Sequence, residues 1–143
     1  MPKPPHFFQT HPFSCVPACL RMVLASLGSK ISEFDLRDLC QCDETGVERK
    51  KAINAVLELG FDSYEANLII DELQENLKNG LNPIVFLRFS ETANYSHAVV
   101  VYKISKEKVF VLDPAIGERE LDINLFTEIW SRGSTTIVEK KIQ

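Results

Sequence analysis

A chain of 143 residues with 45% apolar side chains is long enough to bury a core of its own without disulfides or metal to staple it. Its 20 acidic residues outnumber 16 basic ones, and a net charge of -4 gives none of the basic footprint expected of a nucleic-acid partner or an anionic-membrane binder. No apolar run approaches the ~18 residues of a membrane helix, and MPKPPHFFQTHPF lacks the apolar segment of a secretion signal. The chain therefore reads as one cytoplasmic domain over 1–143, not inserted in a membrane, with its four cysteines as thiols.

About the first 12 residues, rich in Pro and aromatics, read as an extended arm. Pro17 in a first turn and Gly28 as a stop predict a helix over about 15–27. Ser32, followed three places on by Asp35, opens a second helix, SEFDLRDLC. Val47, Ile53, Val56, Leu57 and Leu59 in GVERKKAINAVLELG predict a third, ended by Gly60. FDSYEAN is a short strand, and IIDELQENLKNG is a fourth helix. NPIVFLRFS, HAVVVYKI, KVFVLD and ERELD follow as strands, the first three rich in β-branched or aromatic residues. Asp122 caps a short helix, INLFTEIW, and STTIVEK is the last strand. Helices first and an antiparallel sheet second is an α+β order. Phe86, Phe110, Phe126 and Trp130 fall at core spacing.

The chemistry-bearing residues are few. A nucleophilic cysteine needs a site that favours its thiolate, and the start of a helix supplies one through unpaired N–H groups and the macrodipole. Cys15 alone is so placed; Cys19 lies a turn later, and Cys40 and Cys42 flank the end of the second helix. A base must come from three histidines. His6 is in the arm, His11 is near Cys15 but in a loop, and His97 opens a strand whose neighbour ends in Asp113. A hairpin turning symmetrically at SKEK leaves His97 and Asp113 out of register, so a bulge or strong twist is required to pair them. For an oxyanion, the donors are the backbone N–H of Cys15 and the side-chain amide of Gln9.

Gln9, the run CVPACLRM from Cys15, and HAVVVY followed by VLDPAIGERELDINLFTEIW together resemble the papain-like cysteine peptidases of family 39. Those domains process bacteriocin leader peptides at double-glycine sites and are usually attached to an ABC transporter. The likeness runs from about Phe8 to Lys140. It implies a papain-like α+β fold with helices packed on an antiparallel sheet and a cleft between. It further implies Cys15 as nucleophile, His97 as general base and acid, Asp113 as orienting carboxylate and Gln9 as oxyanion donor. No cofactor or metal is implied; the partners are a peptide or protein substrate, such as a double-glycine leader, and a separate ABC transporter. Two positions depart from the family. Val16 stands where the family has Gly after the nucleophile, and Ser14 where it often has Asp before it. Neither supplies catalytic atoms, but Val16 narrows the groove, and Val16 and Ser96 are read as substrate contacts.

Rival readings remain at this level. The four cysteines form C-x3-C and C-x-C pairs, poor copies of the C-x2-C knuckle of structural zinc sites. A binding module of the same fold, holding a leader without cutting it, needs no nucleophile. An acyl or peptidyl transferase needs the same residues as a hydrolase, because an amine as well as water resolves a thioester.

Overall fold

The computed structural model describes residues 3–89 and 96–142. Ser90, the end of the predicted strand NPIVFLRFS, and the first two residues of the predicted arm lie outside them. The elements are α1 (Cys15–Ser26), α2 (Glu33–Leu39), α3 (Arg49–Glu58), β1 (Phe61–Asn67), α4 (Ile70–Lys78), β2 (Ile84–Leu87), β3 (His97–Ile104), β4 (Lys108–Asp113), β5 (Gly117–Asp122), α5 (Ile123–Ile129) and β6 (Trp130–Lys140). The fold is α+β, a six-stranded antiparallel sheet in the order β1-β6-β2-β3-β4-β5.

Alternation along the strands divides the core in two. Ile84, Phe86, Ala98, Val100 and Leu112 meet α1, α2 and α3 through Leu20, Val23, Leu24, Leu36 and Val56. Val85, Leu87, Val99, Val101 and Val111 meet α4 and α5 through Leu73, Leu77 and Phe126. The sheet is thus sandwiched, whereas the sequence reading packed the helices as one half against it. Buried on both faces, β2 and β3 read as continuous apolar runs, which is why the pattern gave strands without telling which face each residue takes.

Three local expectations are corrected. The third helix begins only at Arg49, because Asp43 and Gly46 close a tight turn with reciprocal backbone bonds of 3.1 and 2.9 Å. Trp130, read as a helix end, is the first residue of β6 and pairs with Leu87. The ladder then shifts before Thr135, and Gly133 (φ +67) absorbs the shift; a Cβ there would stand 2.0 Å from the Leu68 carbonyl oxygen. Among the four aromatics expected in the core, Phe126 and Trp130 are there, but Phe110 is only half-buried, and Phe86 also forms part of a cleft wall.

Candidate active site

Cys15 is the first residue of α1, and Ser14 before it is fully buried. Ser14 does not cap the helix. Its hydroxyl accepts from His11 N at 3.0 Å and faces the His11 carbonyl at 3.0 Å and Glu33 Oε1 at 3.3 Å. The first-turn N–H groups therefore have no side-chain acceptor from Ser14, the setting in which a helix terminus favours a negative sulfur. Glu33 anchors the whole loop. Though only 3% exposed, its carboxylate accepts from Thr10 N (2.9 Å), from the Thr10 hydroxyl and from Arg37 Nε (3.1 Å). A buried carboxylate so surrounded is satisfied rather than stranded.

His97 and Asp113 come together through a bulge. From the turn inward, Ile104 pairs with Val109 and Lys103 with Phe110, then Val101 with Val111 and Val100 with Leu112, so Tyr102 is the extra residue. Tyr102 and Lys103 accordingly both meet the Phe110 ring. Without that residue Asp113 would stand opposite Val100, on the other side of the sheet from His97. With it, the register continued by one step sets Asp113 against Val99, which shares the side of His97. The side chains span the remaining diagonal, and His97 Nε2 lies 2.7 Å from Asp113 Oδ1.

Asp113 is wholly buried and accepts also from Ala115 N (2.8 Å) and Arg119 Nη1 (3.1 Å). Burial alone would raise its pKa, but His97, the Ala115 amide and Arg119 outweigh that and hold the carboxyl below its usual range. Burial likewise works against a charged His97, yet Asp113 and the Cys15 thiol prevail and raise its pKa to about 9. With Nε2 on Asp113, Nδ1 is the ring nitrogen left free, and Cys15 lines the same cleft as His97. The other thiols have different surroundings: burial pushes Cys19 well up, Cys40 to about 12, and Cys42 up to a lesser degree.

The arm is tied down where the sequence reading left it loose. His6 Nε2 lies 2.7 Å from the Asp113 carbonyl oxygen, Lys3 pairs with Glu118, and Gln9 N donates to the Pro114 carbonyl at 2.8 Å. Gln9 Nε2 donates to the His11 carbonyl at 2.8 Å, which fixes the amide's orientation, since the flipped form would oppose two oxygens. Its second N–H hydrogen is left for another acceptor, while Oε1 is buried without a partner.

Cys15, Val16, Ser96 and His97 open together onto a cleft of about 650 Å³, whose far wall includes Gly46, Val47, Arg49 and Phe86. Asp113 lies behind His97, and Gln9 is not part of the cleft lining. An imidazole bonded to a buried carboxylate and sharing a cleft with a thiol can accept the thiol proton, remain charged beside the thiolate, and later return a proton to a leaving group.

The Peptidase C39 family model matches residues 3–142. The chain belongs to the C39 peptidase family. It is 30% identical over 133 residues, 93% of this chain and 87% of its relative, to an uncharacterized protein of Methanothermobacter marburgensis. It is also 30% identical over 124 residues to the lactococcin-G-processing and transport ATP-binding protein LagD of Lactococcus lactis, covering 87% of this chain but 17% of that longer one. Among solved structures, the peptidase domain of Streptococcus ComA, a bifunctional ABC transporter, superimposes with a TM-score of 0.81 at 22% identity over 95% of this chain and 98% of that one. A double-glycine motif protease from an AMS/PCAT transporter, solved with its leader peptide, gives 0.83 at 20% identity over 97% and 93%. Both share the fold of this C39 chain. No helix among the described residues is long and apolar enough to cross a membrane.

Sequence reasoning missed Glu33, Arg119 and Arg49. Glu33 looked like an ordinary first-turn acid of α2, and Arg119 lies in an alternating charged strand. The one available signal was the parity of β5, where Arg119 stands directly opposite Val111, two residues from Asp113.

Proposed function

We propose that this C39 family member is a cysteine peptidase that hydrolyses a peptide bond with Cys15 as nucleophile, His97 as base and acid, Asp113 as the carboxylate orienting His97, and Gln9 with the Cys15 amide as oxyanion donors. The observation that carries this is the imidazole of His97, bonded to the buried Asp113 at 2.7 Å and opening with Cys15, which helps raise its pKa, onto one cleft. His97 Nδ1 takes the thiol proton and the thiolate attacks the carbonyl carbon. The oxyanion draws on the free Gln9 N–H, and the imidazolium protonates the leaving amine. Water, deprotonated by His97, then releases the acyl group and restores the thiol.

The substrate reading comes from the relatives. Lactococcin-G processing and a double-glycine motif protease with its leader peptide point to a leader peptide cut after Gly-Gly, delivered in concert with a separate transporter. The test is incubation of the protein, and of Cys15→Ala, with synthetic leader peptides containing Gly-Gly, followed by mass spectrometry. Cleavage after Gly-Gly, absent in Cys15→Ala, is expected. Binding without cleavage by the wild type would sink the peptidase reading and favour a holding module; transfer of the acyl group to an added amine in place of water would favour a transferase.

A further inference from the structure

Besides His97, the described residues of the cleft lining include one cation, Arg49, whose side chain is 36% exposed. It stands at the start of α3, and its guanidinium carbon lies 3.8 Å from the centre of the Phe86 ring. One Nη donates to Ser134 Oγ, and the nearest carboxylate, Glu65, is 3.9 Å away and 45% exposed. Burial lowers the Arg49 pKa, against a weaker opposing effect of Glu65. A guanidinium carries five N–H donors in a planar fork, and these contacts use few of them. The same side chain also borders a small apolar void beside the cleft, lined by Val16, Leu20, Val47 and Ala52. Glu44, the acidic residue of the cleft lining, is exposed on the preceding turn and screened by water.

A half-desolvated fork that faces a substrate cleft with spare donors suits a planar anion. We propose that Arg49 forms a carboxylate-recognising subsite, so that the peptide held in this cleft carries an acidic side chain within a few residues of the bond facing Cys15. The inference rests on the peptidase reading only for the word substrate; the subsite itself is a matter of binding. Val16 lines both the cleft and the small void beside it together with Arg49, so an apolar surface borders the guanidinium.

The probe is a set of fluorescein-labelled peptides centred on Gly-Gly, each with a single Glu at one of the three positions on either side, paired with its Gln counterpart. Binding is read by anisotropy on the full chain carrying Cys15→Ala, so that no turnover is needed. At one position the Glu peptide should bind about tenfold more tightly than its Gln partner, as expected for one charge-assisted contact. In Cys15→Ala with Arg49→Gln the ratio should fall to about one. If that variant does not fold, the ratio in the parent should still close toward one as pH falls through the peptide's own carboxyl range, around 4.3. Equal binding of Glu and Gln peptides at every position, or a preference that survives either the Arg49 change or the pH change, overturns the proposal. Cleavage by the wild type is scored separately, so a subsite without cleavage and cleavage without a subsite are told apart.

Discussion

Replacing Asp113 by Asn removes a single charge behind His97 and keeps the shape of the side chain. In the wild type Asp113 and Cys15 raise His97 from the ordinary 6.5 to about 9 against a burial that alone would lower it. Without the carboxylate, burial is opposed only by Cys15, and the pKa should fall to about 6.5 or below. That change corresponds to about 3 kcal/mol in favour of the imidazolium. At pH 7.5 the charged fraction would drop from roughly 97% to roughly 10%. With three histidines in the chain, imidazole nitrogen shifts followed by NMR titration report this directly and independently of any activity. The stability consequence has a definite sign. A folded pKa above the unfolded value gives stabilisation that is complete below about 6.5 and disappears as pH rises through about 9. The wild type should therefore lose urea resistance across that window while Asp113→Asn does not. A His97 that titrates near 6.5 in the wild type, or still near 9 in Asp113→Asn, would refute the reasoning.

Among the four thiols, iodoacetamide at pH 7 should label Cys15 first and Cys42 slowly, and leave Cys19 and Cys40 untouched until unfolding; peptide mass spectrometry reads the order, and equal labelling would contradict the assigned environments. Glu33→Gln should lower stability by about 1–3 kcal/mol, because the charged acceptor of several loop donors is lost. It should also reduce kcat more than KM, since the loop joining Gln9 to Cys15 is released, and a kcat unchanged at full folding would show that the anchor serves stability alone. Gly133→Ala should cost more than about 3 kcal/mol in a urea melt, since a Cβ at 2.0 Å from a backbone oxygen forces the strand to move.

The elements were legible because their signals are local. Apolar spacing, Gly stops and the Ser32 cap, which accepts from Asp35 N at 3.0 Å, each act within a few residues. The candidate site was legible through residue types in order and a family resemblance, but its assembly was not. The Tyr102 bulge has no residue signature: nothing about a tyrosine in HAVVVYKI announces that it will be the unpaired member, and only the demand that Asp113 and His97 share a side called for it. Glu33 was invisible for a different reason. A carboxylate in the first turn of a helix is ordinarily solvated, and what buries this one is the packing of the 10–14 loop over α2, a tertiary event. The sandwiching of the sheet escaped for the same cause, since strands buried on both faces lose the alternation that marks an exposed side.

The contacts of the arm bear on how such a site keeps its geometry. Gln9, the proposed oxyanion donor, and Asp113, the proposed orienting carboxylate, are separated by over a hundred residues, yet Gln9 N is bonded to the carbonyl of Pro114, the residue after Asp113. His6 holds the Asp113 carbonyl itself, and Lys3 ties the arm to β5 at Glu118. On its other side Gln9 is bonded to His11, and the His11 turn is held by Ser14 and Glu33 directly before Cys15. Hydrogen bonds of about 3 Å thus connect Pro114 to Gln9, Gln9 through its side-chain amide to His11, and His11 to Ser14, the residue before Cys15. Each link restricts the next. A displacement of the arm is therefore transmitted both to the N–H of Gln9 and to the loop before Cys15, and precise placement of these groups is what a rate depends on when an oxyanion must be met within hydrogen-bond distance. The buried, unpartnered Oε1 of Gln9 fits the same account: holding the amide with Nε2 on the His11 carbonyl leaves the oxygen with nothing to accept from, a cost of roughly 1–3 kcal/mol that the surrounding bonds outweigh.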